Sequence, residues 1–379
     1  MIVDGHNYCV PQLDAPQGYP SLEDKMRQVQ SEFSGHHQPV WRIPDRAEAD
    51  NSTLIDLETG FLKKVEWTRE QGRLAWKIDG NTYTKQYLPP MINNLEFHSD
   101  SLIREMDYAN VDIGLLHAYR LLGSPKFLNK YLRESTNSFP ERLYRLVLTE
   151  ESQIVNDPDR MIQDLFDAVN GGGAVGLQYY PALYYDSISN TSTPEQPWDD
   201  GLMRPFWEAV SSINLPVYFT LIGGRGALSY QNTWQQSYLD EQRILMRWME
   251  RYPNLPAVIT HGLPWTAFLE NEQIKFPSEI WEVFESPQCH LQLLIPIQMG
   301  ARWDYPWKES EPAMEECATK IGADRLIWGT DMPMVARFCT YKQALNQFTK
   351  HCDFLSEQDR SQILGGTAHK LIKSGLQDP

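Results

Sequence analysis

From about residue 100 onward, short apolar runs alternate regularly with amphipathic stretches that have helical spacing. The apolar runs are VDIGLLHAY, RLYRLVLT, AVGLQYY, PVYFTLI, PAVITHG, CHLQLLIPI and RLIWGTD. Apolar strands separated by helices are typical of a parallel sheet whose outer face is covered. Together with the apolar pair Ile2 and Val3 at the N-terminus, they make eight strands, which predicts a closed (β/α)8 TIM barrel.

A doubly wound open sheet is the alternative arrangement for such a pattern. That fold usually carries a glycine-rich phosphate loop, GxGxxG, directly after its first strand. No such motif follows the first strand here, and the three glycines at 171–173 precede a strand, which is typical of a helix-to-strand turn. The barrel is therefore the favoured interpretation.

A long polar stretch, residues 10–98, separates the first strand from the alternating region. It contains two hairpin patterns, KKVEWTREQGRLAWKI turning near residues 71–72 and WKIDGNTYTKQY turning near residues 79–80. We therefore expect a barrel domain made of residues 1–9 and 99–379, with residues 10–98 as a β-rich insertion after strand 1. Because loops after barrel strands emerge on the catalytic face, the insertion should cover or flank the mouth of the barrel.

The composition argues against several classes of partner. With a net charge of −16 and no run rich in Lys or Arg, the chain lacks the features of a nucleic-acid or anionic-membrane binding surface. Its mean hydropathy is −0.48, and no apolar run approaches the roughly 18 residues of a membrane span. The opening MIVDGHNYCV lacks the parts of a signal peptide, and the five cysteines form no CxxC motif. We expect a cytoplasmic protein with reduced thiols and a small-molecule substrate, and a homodimer is compatible with these features.

Chemistry in a (β/α)8 barrel takes place at the C-terminal ends of the strands, so polar residues at those ends are candidate site residues. Three contexts are sharpest: DGH places His6 after strand 1, THG places His261 at the end of strand 6, and GTDMP places Asp331 at the end of strand 8. Further candidates at strand ends are His117, Tyr8, Tyr119, Gln178 and Thr220. Each histidine has a structural alternative, because an imidazole at a strand end can also cap backbone groups.

Arg225 follows a pair of glycines beyond strand 5. Its planar guanidinium could bind a substrate carboxylate through two parallel hydrogen bonds. Exposure to solvent is the alternative interpretation of this side chain. Cys9 also lies near the predicted mouth, but no base is specified beside it, so we do not expect a nucleophilic role.

The segments DGHNY, RYPNLPAVITHG and DRLIWGTDMP together resemble the amidohydrolase-related proteins of the aminocarboxymuconate-semialdehyde decarboxylase type. The resemblance covers residues 1–8 and about 95–375. It implies a (β/α)8 barrel with one divalent metal, often zinc. The ligands it implies are two histidines of an HxH on strand 1, a histidine closing strand 5 and an aspartate closing strand 8. A further histidine, closing strand 6, would act in acid–base chemistry.

Only part of that ligand set is present in this chain. His6 matches the first position of the HxH and Asp331 matches the strand-8 aspartate, but Tyr8 and Thr220 stand where the other two histidines are expected. His261 matches the acid–base histidine. A catalytic zinc normally has three protein ligands, so a site made of His6 and Asp331 alone predicts no metal or a weakly bound divalent ion, with zinc as the ion implied by the resemblance.

These observations favour an enzyme that carries out non-oxidative decarboxylation, or related C–C lyase chemistry, on a small oxygenated aromatic or unsaturated carboxylic acid. The catalytic residues would be His261, Asp331 and His6, because this chemistry needs a positioned proton donor. Substrate-binding residues would be Tyr8, Tyr119, Gln178, Thr220 and Arg225. Two alternatives remain: a hydrolase acting on a C–N, C–O or C–C bond next to a carbonyl, and a non-catalytic ligand-binding barrel.

Overall fold

The computed structural model describes residues 1–43, 45–188, 197–221 and 233–376. Its strands are β1 (Val3–Tyr8), β2 (Val40–Ile43), β3 (Glu48–Ala49), β4 (Glu66–Glu70), β5 (Arg73–Ile78), β6 (Asn81–Lys85), β7 (Ile113–His117), β8 (Leu143–Leu148), β9 (Ala174–Tyr179), β10 (Val217–Phe219), β11 (Ala257–Ile259), β12 (Leu269–Glu270), β13 (Gln273–Ile274), β14 (Cys289–Leu293) and β15 (Leu326–Trp328). Its α-helices are α1 (Leu22–Gly35), α2 (Ser99–Ala109), α3 (Pro125–Ser138), α4 (Pro158–Val169), α5 (Pro181–Ile188), α6 (Arg204–Ser212), α7 (Trp234–Arg251), α8 (Ile295–Met299), α9 (Glu311–Ile321), α10 (Tyr341–Asn346), α11 (Glu357–Ser361) and α12 (Thr367–Gly375).

Eight parallel strands form the main sheet in the order β1-β7-β8-β9-β10-β11-β14-β15, which confirms the predicted TIM barrel. The first and last strands meet through the segment that follows β15. There, the amide of Tyr8 donates to the carbonyl oxygen of Met332 at 2.7 Å, and the amide of Asp331 donates to that of His6 at 2.9 Å. The seam that closes the barrel therefore runs through three of the predicted site residues, His6, Tyr8 and Asp331.

The helix α12 packs against the end of the barrel at which the strands begin. Alanine, leucine and isoleucine side chains of α12 form one buried cluster with Val3, Leu115, Leu146, Val175, Tyr218, Val258 and Ile327 of the barrel strands. A Cβ at Gly375 would collide with the carbonyl oxygen of Val175, so only glycine permits this close approach. Because this end is filled, a ligand site must lie at the opposite end, where the strands finish.

The insertion forms a separate antiparallel sheet in the order β3-β2-β6-β5-β4. Both predicted hairpins are present, with β4 and β5 joined at residues 71–72 and β5 and β6 joined at residues 79–80. The helix α1 precedes this sheet and was missed in the sequence. Its N-terminus is capped by Ser21, whose side chain accepts from the amide of Asp24, and its buried face carries Met26, Val29 and Phe33.

Contacts with the loops after barrel strands place the insertion at the mouth, as the sequence predicts. The Nζ of Lys25 in α1 donates to the carbonyl oxygen of Leu121, which follows β7. Val10 pairs with Phe97 across the two ends of the insertion. The division of the chain into two domains with boundaries at 10 and 98 stays a prediction.

Burial of Lys25 predicts a pH-dependent contribution to stability. Burial lowers the pKa of this amine from 10.5 to about 7. Between these two values the unfolded chain binds more protons than the folded one, so the free energy of unfolding should rise as the pH increases through this window. Urea unfolding at several pH values should show this rise in the wild type and not in Lys25→Met. The exposed Lys130→Met is the matched control and should keep the wild-type slope; a rise retained in Lys25→Met would contradict the prediction.

Four further features differ from the sequence-based expectations or complete them. The first strand extends to Tyr8, so His6 lies within β1 and not after it. The segment Ser278–Glu285, expected as a regular helix, forms 3-10 turns. In the described part of the chain, no helix is long and apolar enough to span a bilayer. All five cysteines are free.

Candidate active site

Four predicted side chains meet at the mouth of the barrel. His6 and Tyr8 are two residues apart on β1 and therefore point to the same side of the strand. His261 lies just after β11 and Asp331 lies just after β15. Because the strands are parallel, their C-terminal ends bring residues from opposite ends of the sequence to one place.

The central atom of this group is Oδ1 of Asp331. It lies 3.4 Å from Nε2 of His6 and 3.8 Å from Nε2 of His261. Ligand atoms of the three residues lie within 4.8 Å of one another, which is close enough to hold one metal ion. The oxygen is buried and has no hydrogen-bond partner among the described residues. A buried polar atom without a partner is energetically costly. We therefore expect this oxygen to bind an atom of a ligand or an ion.

Hydrogen bonds fix the protonation of His6. Its Nδ1 lies 2.8 Å from Oε1 of Gln292, while the amide nitrogen of Gln292 donates to the carbonyl oxygen of Gly5 at 2.7 Å. Because Oε1 can only accept, Nδ1 of His6 carries the proton. The lone pair on Nε2 is then directed to the hydroxyl of Tyr8 at 2.8 Å and to Asp331. This is the arrangement in which a histidine can bind a cation or accept a proton.

His117 packs against the ring of His6. The two rings are stacked, with centroids 3.6 Å apart, and Nε2 of His117 lies 3.0 Å from the carbonyl oxygen of Gly5, to which it donates. Burial lowers the pKa of both imidazoles well below 6.5. The proximity of His117 and His261 lowers the pKa of His6 further, and the proximity of His261 lowers that of His117. Both rings are therefore neutral at physiological pH, and His117 acts as packing for the site.

Burial moves the pKa values of His261 and Asp331 in opposite directions. It lowers the pKa of His261 to about 4 and raises that of Asp331 to about 7, although Arg337 opposes the rise. Desolvation penalises the charged form in both cases. At neutral pH the imidazole is therefore uncharged and the carboxyl group is protonated in a large fraction of molecules. Two neighbouring groups with such displaced pKa values are typical of acid–base sites.

The backbone at both residues adopts an unusual conformation. The φ angle is +62° at His261 and +68° at Asp331, in the left-handed region that non-glycine residues rarely occupy. Such conformations cost about 1–3 kcal/mol each and persist where the surrounding structure imposes them. At Asp331 the conformation is held by the hydrogen bond that its amide donates to the carbonyl oxygen of His6 across the barrel seam.

Asp4 forms hydrogen bonds with residues on both sides of the seam. Its carboxylate accepts hydrogen bonds from the amide of His6, from the amide and hydroxyl of Thr330, and from the hydroxyl of Tyr341. It thereby connects β1 to the loop that carries Asp331. Burial raises the pKa of Asp4 to about 7, and these hydrogen bonds limit the rise. This role was not evident from the sequence, although the residue stands in the DGH motif.

Gln178 and Thr220, predicted as substrate-binding residues, lie in the polar wall of the mouth. The side-chain nitrogen of Gln178 donates to the hydroxyl of Tyr180 at 2.9 Å. The hydroxyl of Thr220 lies 2.8 Å from that of Thr260, the residue before His261. Thr220 thus takes part in positioning the segment of His261, and direct contact of either residue with a substrate stays a prediction.

Tyr119 and Arg225 complete the predicted set. The ring of Tyr119 packs edge-on against that of Tyr8, with centroids 5.3 Å apart, so it lies beside the site. Arg225 lies outside the described residues, and its role stays a prediction. The structure therefore brings together His6, Tyr8, Tyr119, His261 and Asp331.

Gln292 is a functional residue that the sequence analysis missed. Its side chain bonds to His6 and Gly5, and its Oε1 also accepts from the amide of His261 at 3.2 Å. The available signal was a polar residue in the middle of the apolar run CHLQLLIPI. One side chain thus orients the imidazole of His6 and holds the backbone of His261.

Gln292→Leu should destabilise the protein and misplace the imidazole of His6 and the backbone of His261. It keeps the approximate size of the side chain but leaves buried polar groups unpaired, so the free energy of unfolding should fall by about 1–3 kcal/mol. The matched control is Gln288→Leu, directly before the same strand, where the side chain donates to the carbonyl oxygens of Met249 and Tyr252. Urea unfolding should detect a loss in both variants, whereas turnover per folded molecule should fall only in Gln292→Leu. Equal turnover in both would show that Gln292 is purely structural.

Comparison with protein families gives one match over most of the chain. The family model described as amidohydrolase matches residues 37–373. Comparison with the curated proteins gives no sequence match.

Several solved structures share the fold. An uncharacterized TIM-barrel protein from Bordetella bronchiseptica has a TM-score of 0.56 and 16% identity, with 99% of each chain covered. A 2,6-dihydroxybenzoate decarboxylase in complex with 2,6-dihydroxybenzoate has a TM-score of 0.53 and 19% identity, covering 74% of this chain and 89% of its own. A dihydroxybenzoic acid decarboxylase from Polaromonas sp. JS666, with bound manganese and the inhibitor 2-nitroresorcinol, has a TM-score of 0.54 and 20% identity, covering 75% and 88%. At these identities the likeness shows a shared fold.

Proposed function

The chain belongs to the amidohydrolase family, and from that premise we propose that it is a non-oxidative decarboxylase of a small oxygenated aromatic or unsaturated carboxylic acid. The observation that carries the proposal is the buried Oδ1 of Asp331, which lies 3.4 and 3.8 Å from two neutral imidazoles and has no hydrogen-bond partner among the described residues. Two of the solved structures that share the fold are decarboxylases of dihydroxybenzoic acids, which supports this choice of substrate class.

Decarboxylation needs a proton donor, and the substrate must hold the electron pair of the broken C–C bond until that proton arrives. The bond between the carbon and its carboxylate breaks, CO2 leaves, and the electron pair stays on the carbon until a proton arrives. Because the pKa of Asp331 is raised to about 7 and that of His261 is lowered to about 4, the available proton resides on Asp331. We therefore assign delivery of the proton to Asp331. His261, at 3.8 Å, accepts a proton or returns one to the carboxylate.

The same three residues fit a divalent cation. Asp331 presents an oxygen without a partner and His6 presents the lone pair of Nε2, and Nε2 of His261 lies close enough to be the third ligand. When bound, such an ion would act as a Lewis acid on a substrate oxygen. Tyr8 would be a poor additional ligand, because burial raises its pKa well above 10 and keeps the phenol protonated. Manganese and zinc are the ions to test, the first because the Polaromonas structure contains it.

Metal binding should be measurable but weak. We expect less than one equivalent of metal after dialysis, because Tyr8 and Thr220 replace two imidazoles of the usual ligand set. Added Mn²⁺ should still bind, and the free ion can be followed by electron paramagnetic resonance. Binding should be lost in His6→Ala, which removes a ligand, and kept in Tyr8→Phe, the matched control. One equivalent of tightly held metal would contradict the expected weakness, and unchanged binding in His6→Ala would contradict the assigned site.

The experiment that tests the function uses carboxyl-labelled 2,6-dihydroxybenzoate and related hydroxybenzoates in D2O. A decarboxylase should release labelled CO2 and place deuterium on the vacated ring carbon. Incorporation of oxygen from labelled water without CO2 release would favour a hydrolase. Saturable binding with neither reaction would favour a non-catalytic barrel. Cytoplasmic location and a homodimer stay predictions.

A further inference from the structure

Two arginines lie at the turn that joins α4 to β9. Arg145 is on β8, and because its neighbour Leu146 belongs to the cluster inside the barrel, Arg145 faces the outer layer of helices. Arg133 is on α3, in that outer layer. The turn contains the glycines at 171–173 and precedes β9. Both arginines are therefore at the end of the barrel where the strands begin, away from the candidate active site.

Both guanidinium groups bond to this turn or to the end of α4. Nε of Arg145 donates to the carbonyl oxygen of Gly172 at 3.2 Å, and its Nη2 donates to that of Asn170 at 3.4 Å. Nη2 of Arg133 donates to the carbonyl oxygen of Asp167 at 2.8 Å. Basic side chains often bond to the last carbonyl groups of a helix in this way. Here the bonds place two positive charges against one short segment of backbone.

These carbonyl groups do not complete the bonding of either guanidinium. Arg145 is fully buried and its Nη1 has no hydrogen-bond partner, and the buried Nε of Arg133 also has none. Among the residues that the structure describes, no carboxylate pairs with either arginine, whereas Arg247 pairs with Asp199 at 3.0 Å. Burial lowers the pKa of Arg145 to about 10, and Arg133 lowers it further. Both side chains stay charged at physiological pH, and neutral carbonyl groups cannot compensate these charges.

The turn itself supplies further donors. The φ angles of its three glycines are +96°, +84° and +70°, and their amides donate to no acceptor in the described part of the chain. A Cβ at Gly171 would lie 3.0 Å from Nε of Arg133, so this guanidinium packs directly against the turn. A Cβ at Gly172 would meet only Oδ1 of Asn137, at 3.6 Å, which leaves room for a small ligand. Free amides in such turns form concavities that bind anions.

Buried charges are usually paired, because burying an unpaired charge is strongly unfavourable. We propose that the turn at residues 171–173, together with Arg133 and Arg145, binds a small tetrahedral oxyanion such as phosphate or sulfate. Arg133 is half-buried and donates to the anion with its planar fork, the glycine amides donate to the remaining oxygens, and Arg145 contributes its charge from the interior. This site lies outside the candidate active site and does not depend on the proposed function.

Binding of inorganic phosphate tests the proposal without any need for turnover. Phosphorus NMR and titration calorimetry can follow it at constant ionic strength, with a chelator present. The chain has a net charge of −16, so non-specific attraction of anions is weak and saturable binding reports a local site. The wild type should bind one equivalent, and it should unfold at a higher temperature in phosphate than in acetate.

Arg133→Met should weaken phosphate binding about 10–100-fold, as expected for the loss of charge-assisted hydrogen bonds. Arg133→Lys should keep part of the affinity, because the charge remains. Arg145→Met should also lose binding, and if that variant does not fold, the half-buried Arg133 decides the question alone.

Arg120→Met is the matched control and should keep the wild-type affinity, because Arg120 lies at the mouth of the barrel and pairs with Glu151 at 3.7 Å. The proposal is overturned if the wild type binds no phosphate, or if the affinity survives unchanged in Arg133→Met. It is also overturned if Arg120→Met alone loses binding, since the anion would then lie at the mouth.

Discussion

Replacing His261 with alanine should lower turnover by roughly 10²–10⁴-fold, the usual contribution of a positioned proton-transfer group. Its Nε2 lies 3.8 Å from Asp331, and its pKa of about 4 keeps the imidazole neutral and able to accept a proton at physiological pH. The group acts mainly in the transition state, so the affinity for substrate should change little. Steady-state kinetics and thermal melting of the same preparation measure the two effects separately.

His290→Ala is the control for the loss of a histidine. His290 is half-buried on β14, and its Nδ1 bonds to the carbonyl oxygen of Gln288, away from the mouth. This variant should lose stability and keep turnover per folded molecule. If His261→Ala behaves in the same way, His261 only caps the end of β11, and a mechanism built on His6 or a binding role would take precedence.

Asp331→Asn should be similarly damaging to turnover, by roughly 10²–10⁴-fold, because it removes the group to which we assign the proton. Asparagine tolerates a φ of +68° better than most residues, so the backbone of the loop should be preserved. The wild-type pH–rate profile should contain a limb near the Asp331 pKa of about 7. That limb should be absent from the residual activity of the variant.

Stability should change in the opposite direction from activity. The folded-state pKa of Asp331 is raised from 3.8 to about 7, so its contribution to stability is lost as the pH rises through this window. Above about pH 7, Asp331→Asn lacks the buried charge and should unfold at a higher temperature than the wild type, both measured with a chelator present. The assignment of the proton to Asp331 would be contradicted if Asp331→Asn kept its activity. It would also be contradicted if the variant were both inactive and less stable than the wild type at this pH.

The barrel could be predicted because each of its strands can be recognised from a short stretch of sequence. Each strand is a short apolar run between amphipathic stretches, and strand ends point to His6, His261 and Asp331 within a few residues of recognisable motifs. The prediction also depended on a family resemblance for the role of each residue. Helix α1 was missed because its buried positions lie among Glu, Asp, Lys, Arg and Gln residues, which hide their spacing.

Roles that depend on distant contacts could not be read from the sequence. Gln292 accepts a hydrogen bond from His6, although the two are 286 residues apart in the sequence. Asp4 accepts one from Thr330, in the loop that carries Asp331. The displaced pKa values of His261 and Asp331 arise from burial, which no spacing of residues reports.

The seam that closes the barrel has a consequence for how this protein acquires activity. His6 lies on the first strand of the barrel, and Asp331 follows the last, so the site exists only after contacts between residues far apart in the sequence have formed. Contacts of such long sequence separation are slow to form, because the loop between them must be closed first. A nascent chain can complete its inner strands and still lack a catalytic centre. Activity therefore appears only once the barrel has closed, and it reports the completion of folding.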